Sequence, residues 1–369
     1  MREDVYQLGL RGCINPADHA SLAENILRAR TELLDMLKDP VYGALVEPFD
    51  PGKYNQNATL SENLLLGTAI GGAFITASLI ENEYFQTILD ETGLTADLIR
   101  MGLAIAETMV ELFADIAPGH PFFEQFSFIT AEDLPEYQEI VKRAARLGLE
   151  FLPGSDRRQL AALPLDYSEA RHRLGLIDAP MQGRILEVRQ KFSAGLPAKY
   201  KQAIEFYDPK KYNSAASLLD NILFGRIVYG QAEAQSRIGA LINEVVSQLN
   251  LRWEIFRVGL NFNAGGRGRL LTGIQRQKLA LAKAILKRPD LLVLSDAISL
   301  LDARAQQQIF HNIKNYSEGR GLIWIGGQLD LSQDFDQILV VEEGKIVEQG
   351  KFGDLSLNGK HLPQLLAAG

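Results

Sequence analysis

The residues whose types and spacing could do chemistry lie in one stretch of the chain, residues 265–302. The stretch opens with a glycine-rich turn that carries Arg267 and Arg269. Such a turn, when it leads into a helix, offers unpaired backbone N–H groups and a positive dipole end to a phosphate. Thr272 and Gln275 follow with the three-residue spacing of a helix capping box, so an ordinary well-capped helix explains the same residues.

A second group of polar side chains follows the apolar run Leu291–Leu294. Ser295 and Asp296 come directly after this run, and Asp302 stands six residues beyond Asp296, where a helix is expected to begin. Open α/β sheets bind ligands at the carboxyl ends of their strands, which makes this pair a candidate for catalysis or metal binding. The alternative is a core strand between two helices, with aspartates that only cap helix ends.

The elements around these residues alternate between helix and strand. Arg276–Arg288 has the composition of a helix and is followed by Pro289, and a second helix is predicted at Ala303–Tyr316. Four short apolar runs are typical of strands, and a hairpin is expected around Glu343-Gly344: Leu291–Leu294, Leu322–Ile325, Ile338–Val341 and Ile346–Val347. This order predicts an α/β fold with a mainly parallel sheet, an antiparallel edge, and Ser295 and Asp296 at the ligand-facing edge.

The first part of the chain contains an internal duplication. Residues 47–67 read EPFDPGKYNQNATLSENLLLG and residues 205–225 read EFYDPKKYNSAASLLDNILFG, with eleven of 21 positions identical. We call these segments the first and second cassettes. Between them the apolar spacing predicts helices at Asn82–Glu91, Ala96–Ala114 and Pro135–Leu149. We therefore expect a mainly α-helical region over residues 1–199, with partial duplicated cassettes, and a second domain over residues 200–369.

Composition and charge exclude several classes of protein. The 369 residues carry a net charge of −8, with about −14 in residues 1–150 and about +6 in the remainder, which does not favour nucleic-acid binding. One cysteine cannot form an internal disulfide, and five scattered histidines show no zinc-ligand spacing. The uncharged run Leu64–Ile80 is 17 residues long, and its glycines and acidic flanks favour a buried helix over a membrane span.

Over about residues 204–355, the sequence resembles the nucleotide-binding domain of ABC transporter ATPases. The family's LSGGQ signature followed by RQR is similar to Leu271–Lys278, and its Walker B pattern with the following D-loop is similar to LLVLSDAISLLD, Leu291–Asp302. Its switch-histidine segment is similar to Ile325–Leu329, and its closing hairpin, DRILVLDEGRIVEQG, is similar to DQILVVEEGKIVEQG, Asp336–Gly350. Both cassettes resemble the family's Gly-Thr-Ile-x-Glu-Asn-Ile segment.

The resemblance implies a fold, a set of site residues and partners. It implies an incomplete P-loop NTPase sheet preceded by the helical region, with ATP and Mg as weakly bound ligands. Its partners would be a transmembrane permease, a second ABC ATPase domain or a dimer mate, at a cytoplasmic position peripheral to the membrane. The residues that match the family's motifs are Asp296 for the catalytic glutamate, Ser295 for the Walker B metal ligand, Asp302 for the D-loop, and Thr272, Gly273 and Gln275 for the nucleotide-binding signature.

The departures from the family pattern concern phosphate and metal binding. No Gly-x-x-x-x-Gly-Lys-Ser/Thr loop occurs in the sequence, so the main triphosphate cradle is missing. Ser295 stands where the family has an anionic metal ligand, and Asp296 is one methylene shorter than glutamate. Gly327 replaces the switch histidine, and Ile274 replaces a signature glycine. We therefore expect weak Mg-ATP binding and negligible turnover by the isolated chain.

Three interpretations remain open from the sequence. The first, which we favour, is a degenerate ABC-type module that acts as a component or regulatory partner of a transporter. The second is a C-terminal portion of a larger ABC ATPase whose Walker A loop is supplied elsewhere. The third is an active enzyme that uses Asp296 as a base. A helical scaffold unrelated to transport would require the Asp336–Gly350 match to be accidental.

Overall fold

A computed structural model describes residues 2–113, 116, 129–326 and 329–368. The chain divides into two compact units. We call Val5–Phe262 the cassette unit, and Asn263–Gly369 together with Met1–Asp4 the C-terminal unit. Within the described residues, no helix is both long and apolar enough to cross a membrane.

Helices account for most of the regular structure. Their bounds are α1 Arg2–Leu10, α2 Ala20–Met36, α3 Pro40–Gly43, α4 Leu60–Leu65, α5 Thr76–Leu79, α6 Glu83–Glu91, α7 Leu94–Phe113, α8 Leu134–Leu147, α9 Gly154–Ala162, α10 Glu169–His172, α11 Ala179–Ala194, α12 Leu218–Leu223, α13 Ala234–Gln248, α14 Arg252–Leu260, α15 Gly273–Leu286, α16 Ala303–Tyr316, α17 Phe352–Asn358 and α18 His361–Ala368. The described part of residues 1–199 is predominantly helical, as the sequence predicts.

Eight strands form four two-stranded sheets in the described chain. Their bounds are β1 Val46–Pro48, β2 Gly67–Ala69, β3 Ile204–Phe206, β4 Gly225–Ile227, β5 Leu291–Ser295, β6 Gly321–Ile325, β7 Ile338–Glu342 and β8 Lys345–Gly350. In the cassette unit β1 pairs with β4 and β2 pairs with β3, both antiparallel. In the C-terminal unit β5 and β6 are parallel, and β7 and β8 form an antiparallel hairpin.

The two cassettes share one local fold. In each, a hydroxyl residue caps a six-residue helix, through Thr59 for α4 and Ser217 for α12. Each helix ends at a left-handed residue, Leu66 or Phe224, with a φ of 44°. A glycine follows, and a Cβ atom at Gly67 would lie 2.8 Å from the carbonyl oxygen of Glu205. The glycine therefore lets the chain turn from the helix into a strand that approaches the other cassette closely.

Each cassette is bound by an arginine from the helix that precedes the other cassette. Arg189 of α11 donates from Nε to the carbonyl of Asn63 at 2.6 Å and from Nη2 to its side-chain oxygen at 3.0 Å. Its Nη1 atom donates to the carbonyls of three further residues of the first cassette, Asp50, Pro51 and Lys53.

Arg30 of α2 makes the equivalent contacts with the second cassette. Its Nε donates to the carbonyl of Asn221 at 2.7 Å, and its Nη2 donates to the Asn221 side chain at 3.0 Å. The Nη1 atom donates to the carbonyls of Asp208, Pro209 and Lys211. Arg30 and Arg189 are only 1% and 4% exposed, and burial lowers the pKa of each to about 10. Both guanidinium groups therefore stay charged at neutral pH.

The cassette unit is consequently an interlocked pair of repeats. Equivalent rings of the two cassettes, Phe49 and Tyr207, stack with centroids 4.4 Å apart and planes 9° from parallel. One large core packs the first cassette around α7 and α11, and a second packs α2 and α13 around the second cassette. Because the strand pairs join both cassettes in one unit, the compact units do not coincide with the division at residues 199 and 200. The predicted functional boundary between residues 199 and 200 therefore stays a prediction.

The expectation of one buried helix over Leu64–Ile80 is wrong. The segment contains the end of α4, strand β2 and the short helix α5. Leu66 ends α4 in the left-handed conformation, and Gly71 has a φ of 72°. These backbone conformations break the helix, which the lack of charged residues in the run did not reveal.

The C-terminal unit follows the predicted order of elements. Helix α16 has the predicted bounds, α15 lies within three residues of its prediction, and β5 to β8 occupy the four predicted runs. Leu292 and Leu294 of β5 pack with Phe310 and Ile313 of α16 in one small core. The expected single sheet is not formed in the described residues, since the β5–β6 pair and the β7–β8 hairpin are separate.

Candidate functional site

The signature residues form the first turn of α15. The hydroxyl of Thr272 accepts a hydrogen bond from the Gln275 backbone N–H at 3.2 Å, and the Gln275 side chain accepts one from the Thr272 N–H at 3.0 Å. The predicted capping box is therefore confirmed. In this structure both side chains cap their own helix. This agrees with the alternative interpretation of Thr272 and Gln275 as an ordinary helix cap. A Cβ atom on Gly273 would lie 3.0 Å from the Leu300 Cδ1 atom.

Ser295 and Asp296 lie at the carboxyl end of β5. Ser295 is the last residue of the strand and pairs with Ile325 of β6. Asp296 adopts a left-handed conformation with a φ of 47°, and its N–H donates to the Ile325 carbonyl at 2.9 Å. Both side chains are exposed. The pair therefore stands at the carboxyl end of the strand, as the sequence predicts.

Asp302 caps the next helix. Its Oδ1 atom accepts a hydrogen bond from the Ala305 N–H at 2.9 Å at the start of α16. This agrees with the capping alternative for Asp302, and its D-loop role stays a prediction. Gly327, at the position of the family's switch histidine, and the following Gln328 lie outside the described residues.

Gln277 is the residue of this region that sequence reasoning missed. Its Nε2 atom donates to the Asp296 carbonyl at 2.6 Å and to the Ser299 hydroxyl at 3.1 Å. Its Oε1 atom accepts from the Leu300 N–H at 3.2 Å. One signal in the sequence could have identified it. Gln277 lies four residues after Gly273, so both face the same side of α15.

The basic turn before α15 is built from left-handed residues. Gly265 and Gly268 have a φ of 73°, and Arg267 between them has a φ of 56°. The Arg267 and Arg269 side chains are exposed, and Ile274 is 39% exposed at the helix start. The positive charges of Arg267 and Arg269 therefore lie just before the N-terminus of α15 in the chain, and the apolar Ile274 lies in the first turn of that helix.

The donor atoms fit a magnesium ion only in part. Ser295 supplies a hydroxyl and Asp296 a carboxylate, and both are hard oxygen ligands of the kind that Mg²⁺ takes. Across the residues that the structure describes, no three His, Cys, Asp or Glu side chains lie close enough to hold a metal ion.

No protein-family model matches the chain, but comparison with known proteins finds export ATP-binding/permease proteins among its relatives. A putative export ATP-binding/permease protein of Rickettsia felis is 29% identical over 180 residues, which are 48% of this chain and 30% of that protein. A beta-(1→2)glucan export ATP-binding/permease protein of Nitrobacter winogradskyi is 39% identical over 106 residues, 29% of this chain and 17% of its own length.

An ATP-dependent lipid A-core flippase of Burkholderia orbicola is 33% identical over 144 residues, 38% of this chain and 24% of its own. The chain thus spans less than a third of the length of these relatives. Within the matched part, the chain is homologous to ABC exporter ATP-binding/permease proteins and corresponds to their nucleotide-binding domain.

Proposed function

We propose that this chain is a degenerate ABC-type nucleotide-binding module that acts as a component or regulatory partner of an ABC transporter, with little or no ATP hydrolysis of its own. The observation that carries the proposal is the composition of the β5 end. It has Ser295 and Asp296 as its hard ligands, in a sequence without a Walker A loop. Phosphoryl transfer depends on phosphate and metal contacts, so the loss of several of them lowers binding and turnover together.

The proposed role of the chain in an assembly rests on its signature end. In the ABC family each nucleotide lies between two domains, one bringing the Walker loops and the other the signature helix. Thr272, Gly273 and Gln275 would then face ATP that a second ABC ATPase domain holds, and a transmembrane permease would anchor the pair at the cytoplasmic face of a membrane. In that arrangement Ser295 would hold Mg²⁺ only weakly, Asp296 would stand at the position of the catalytic glutamate, and no nucleic acid is involved.

Two measurements test this proposal. Titration calorimetry of the isolated chain with Mg-ATP is expected to show no saturation below about 1 mM. In a two-chain assay with an intact ABC ATPase, the chain is expected to change the partner's ATPase rate. A Thr272→Ala, Gly273→Asp double variant is expected to have no such effect.

The chain offers a matched control for that assay. Thr59 caps α4 with the same kind of capping box, so Thr59→Ala removes an equivalent cap in the cassette unit, outside the signature sequence. It should leave the effect on the partner intact. Micromolar, magnesium-dependent ATP binding by this chain alone, or an unchanged partner rate with every version, would overturn the proposal.

A second candidate function is favoured by a different observation. Alternate residues of β5 and β6 leave one face of the sheet pair uncovered: Leu291 and Val293 are each 53% exposed, Ile323 is 46% exposed, and Ile325 is 52% exposed. Soluble proteins rarely leave contiguous apolar surface of this kind uncovered. A strand and helix carrying a Walker A loop, supplied elsewhere in a larger ABC ATPase, would cover it.

The coding sequence upstream of this chain distinguishes the two candidates. An in-frame Walker A motif behind membrane spans would establish the second candidate, in which the assembled protein binds and hydrolyses ATP. Its absence there, together with failure of a separately supplied Walker A domain to bind this chain, would refute it.

A further inference from the structure

One side chain connects the start of the signature helix to the loop that carries Asp296. Gln277 uses both atoms of its amide group, with Nε2 donating to the Asp296 carbonyl and Oε1 accepting from the Leu300 N–H. An amide has one donor and one acceptor end, and here each is bound to the backbone of the same five-residue loop. Gln277 therefore fixes the distance between α15 and this loop at two points.

The backbone of Asp296 needs such support. Its left-handed φ of 47° costs more than a right-handed conformation, although aspartate tolerates it better than most residues, so contacts that hold this backbone add to its stability. The Asp296 N–H is held by the Ile325 carbonyl at 2.9 Å. Its carbonyl is held by Gln277 at 2.6 Å and by the Ser299 hydroxyl at 3.0 Å. β6 thus fixes one end of the residue, and α15 takes part in fixing the other.

The first turn of α15 also touches the loop directly. Gly273 lies against Leu300, since a Cβ atom on Gly273 would come within 3.0 Å of the Leu300 side chain. Gln277 is one turn further along the same face. A movement of the capped end of α15 therefore changes both contacts at once.

We propose that Gln277 is a positioning residue that couples the capped signature end of α15 to the conformation of Asp296. Removal of the cap lets the first turn of α15 fray, which shifts Gln277 and releases the Asp296 carbonyl. The coupling runs in both directions because it is a property of one shared set of hydrogen bonds. A partner that contacts the signature residues thereby changes the position of the Asp296 carboxylate.

Hydrogen exchange of the full chain tests the coupling. Thr272→Ala removes the cap and is expected to raise the exchange rate of the Leu300 amide by about fivefold, which is the effect of one ordinary hydrogen bond. In a Gln277→Leu background the same Thr272→Ala change should add nothing. An equal increase in both backgrounds, or none in the wild-type background, would overturn the inference.

Two further variants separate positioning from simple packing. Gln277→Glu keeps an acceptor for the Leu300 N–H and lacks the donor for Asp296. It should preserve Leu300 protection while it changes the Asp296 backbone chemical shifts, whereas a packing role predicts no change at Asp296. Gln307→Leu makes the same chemical change as Gln277→Leu, but at an exposed position of α16. It should leave both the Leu300 exchange rate and the Asp296 chemical shifts unaltered.

The meaning of this coupling for a partner rests on the proposed function. In the two-chain assay, Gln277→Leu is expected to reduce the effect of this chain on the partner's ATPase rate. If no version of the chain affects the partner, the proposed function is wrong, and the exchange measurements still decide the coupling by themselves.

Discussion

At the scale of single residues, most polar side chains of the candidate site hold their own backbone. Thr272, Gln275 and Asp302 all cap helices, and Gln277 holds a loop. Asp296 differs from these four residues, because it is exposed at a strand end and its hydrogen bonds with Gln277 and Ile325 are made by its backbone. In the cassette unit, two arginine side chains are almost fully buried, Arg30 and Arg189.

The buried arginines give a prediction about stability. Arg189→Lys is expected to lower the free energy of unfolding by about 3 kcal/mol, because a lysine cannot reach five acceptors from one planar group and leaves carbonyls unpaired, that of the buried Asn63 among them. Arg30→Lys should cost a similar amount, since its five hydrogen bonds have the same pattern. Urea denaturation measures both.

Arg28→Lys is the matched control for these variants. Arg28 lies on the same helix as Arg30 and is exposed, so the change is expected to stay within about 0.5 kcal/mol. A small effect at Arg189 and Arg30 as well would show that the cassettes are not held together by these side chains.

At the scale of elements, one carboxylate caps the start of the C-terminal helix. Glu348 of β8 accepts hydrogen bonds from the N–H groups of His361 at 2.8 Å and Leu362 at 3.1 Å, and another from Lys360. These are the unpaired donors at the start of α18. The hydrogen bonds from His361, Lys360 and Leu362 hold the pKa of the Glu348 carboxyl below its ordinary value. A strand of the hairpin thereby docks the last helix of the chain.

This docking is expected to depend on pH. Because the folded pKa of Glu348 is lowered, its contribution is complete above the ordinary glutamate pKa of about 4.3 and is lost as the pH falls through the lower folded value. Hydrogen exchange of the 360–362 amides, corrected for intrinsic rates, should accelerate in that range. Glu348→Gln should accelerate it already at neutral pH. Glu343→Gln on the same hairpin is the control, and an equal response to both changes would contradict the prediction.

Individual elements of the C-terminal unit could be predicted well from the sequence. Periodicity and capping signals act within a few residues, and they located α16, the capping box of α15 and the hairpin at Glu343-Gly344. The pairing of the cassettes could not be predicted, because β1 and β4 have only three residues each and lie about 180 positions apart. The Gln277 bridge depends on tertiary contact in the same way.

At the scale of the whole molecule, the two units differ in how completely they are packed. The cassette unit has two large cores with many fully buried side chains. The described part of the C-terminal unit has one small core on a single face of the β5–β6 pair. The opposite face, formed by Leu291, Val293, Ile323 and Ile325, remains exposed. This asymmetry distinguishes the proposed functions, because a partner that supplies a Walker A segment would cover that face.

The exposed face gives a prediction for the isolated chain. Val293 and Ile323 are direct neighbours across the parallel pair, so Val293→Lys with Ile323→Glu places opposite charges side by side. This double variant is expected to bind less of a hydrophobic dye and to keep its melting temperature within about 4 °C. Circular dichroism and dye fluorescence measure these two properties.

A buried residue of the same strand provides the contrast. Leu292 is 5% exposed, and Leu292→Lys is expected to abolish cooperative melting of the C-terminal unit. If the double variant unfolds the unit as Leu292→Lys does, the face is already covered in the isolated chain, and the second candidate function loses its supporting observation.

The interlocked arginines have a consequence for how the protein is made. Arg30 finds its acceptor Asn221 only 191 residues later in the chain. At typical elongation rates of about 5–20 residues per second, the ribosome needs roughly 10–40 s to synthesise that stretch. Throughout this interval helix α2 emerges with an arginine that has no acceptor yet and an apolar side that has no core. The core around α2 and α13 therefore cannot close until the second cassette has been made, and a messenger truncated between the cassettes yields a protein that cannot complete that core.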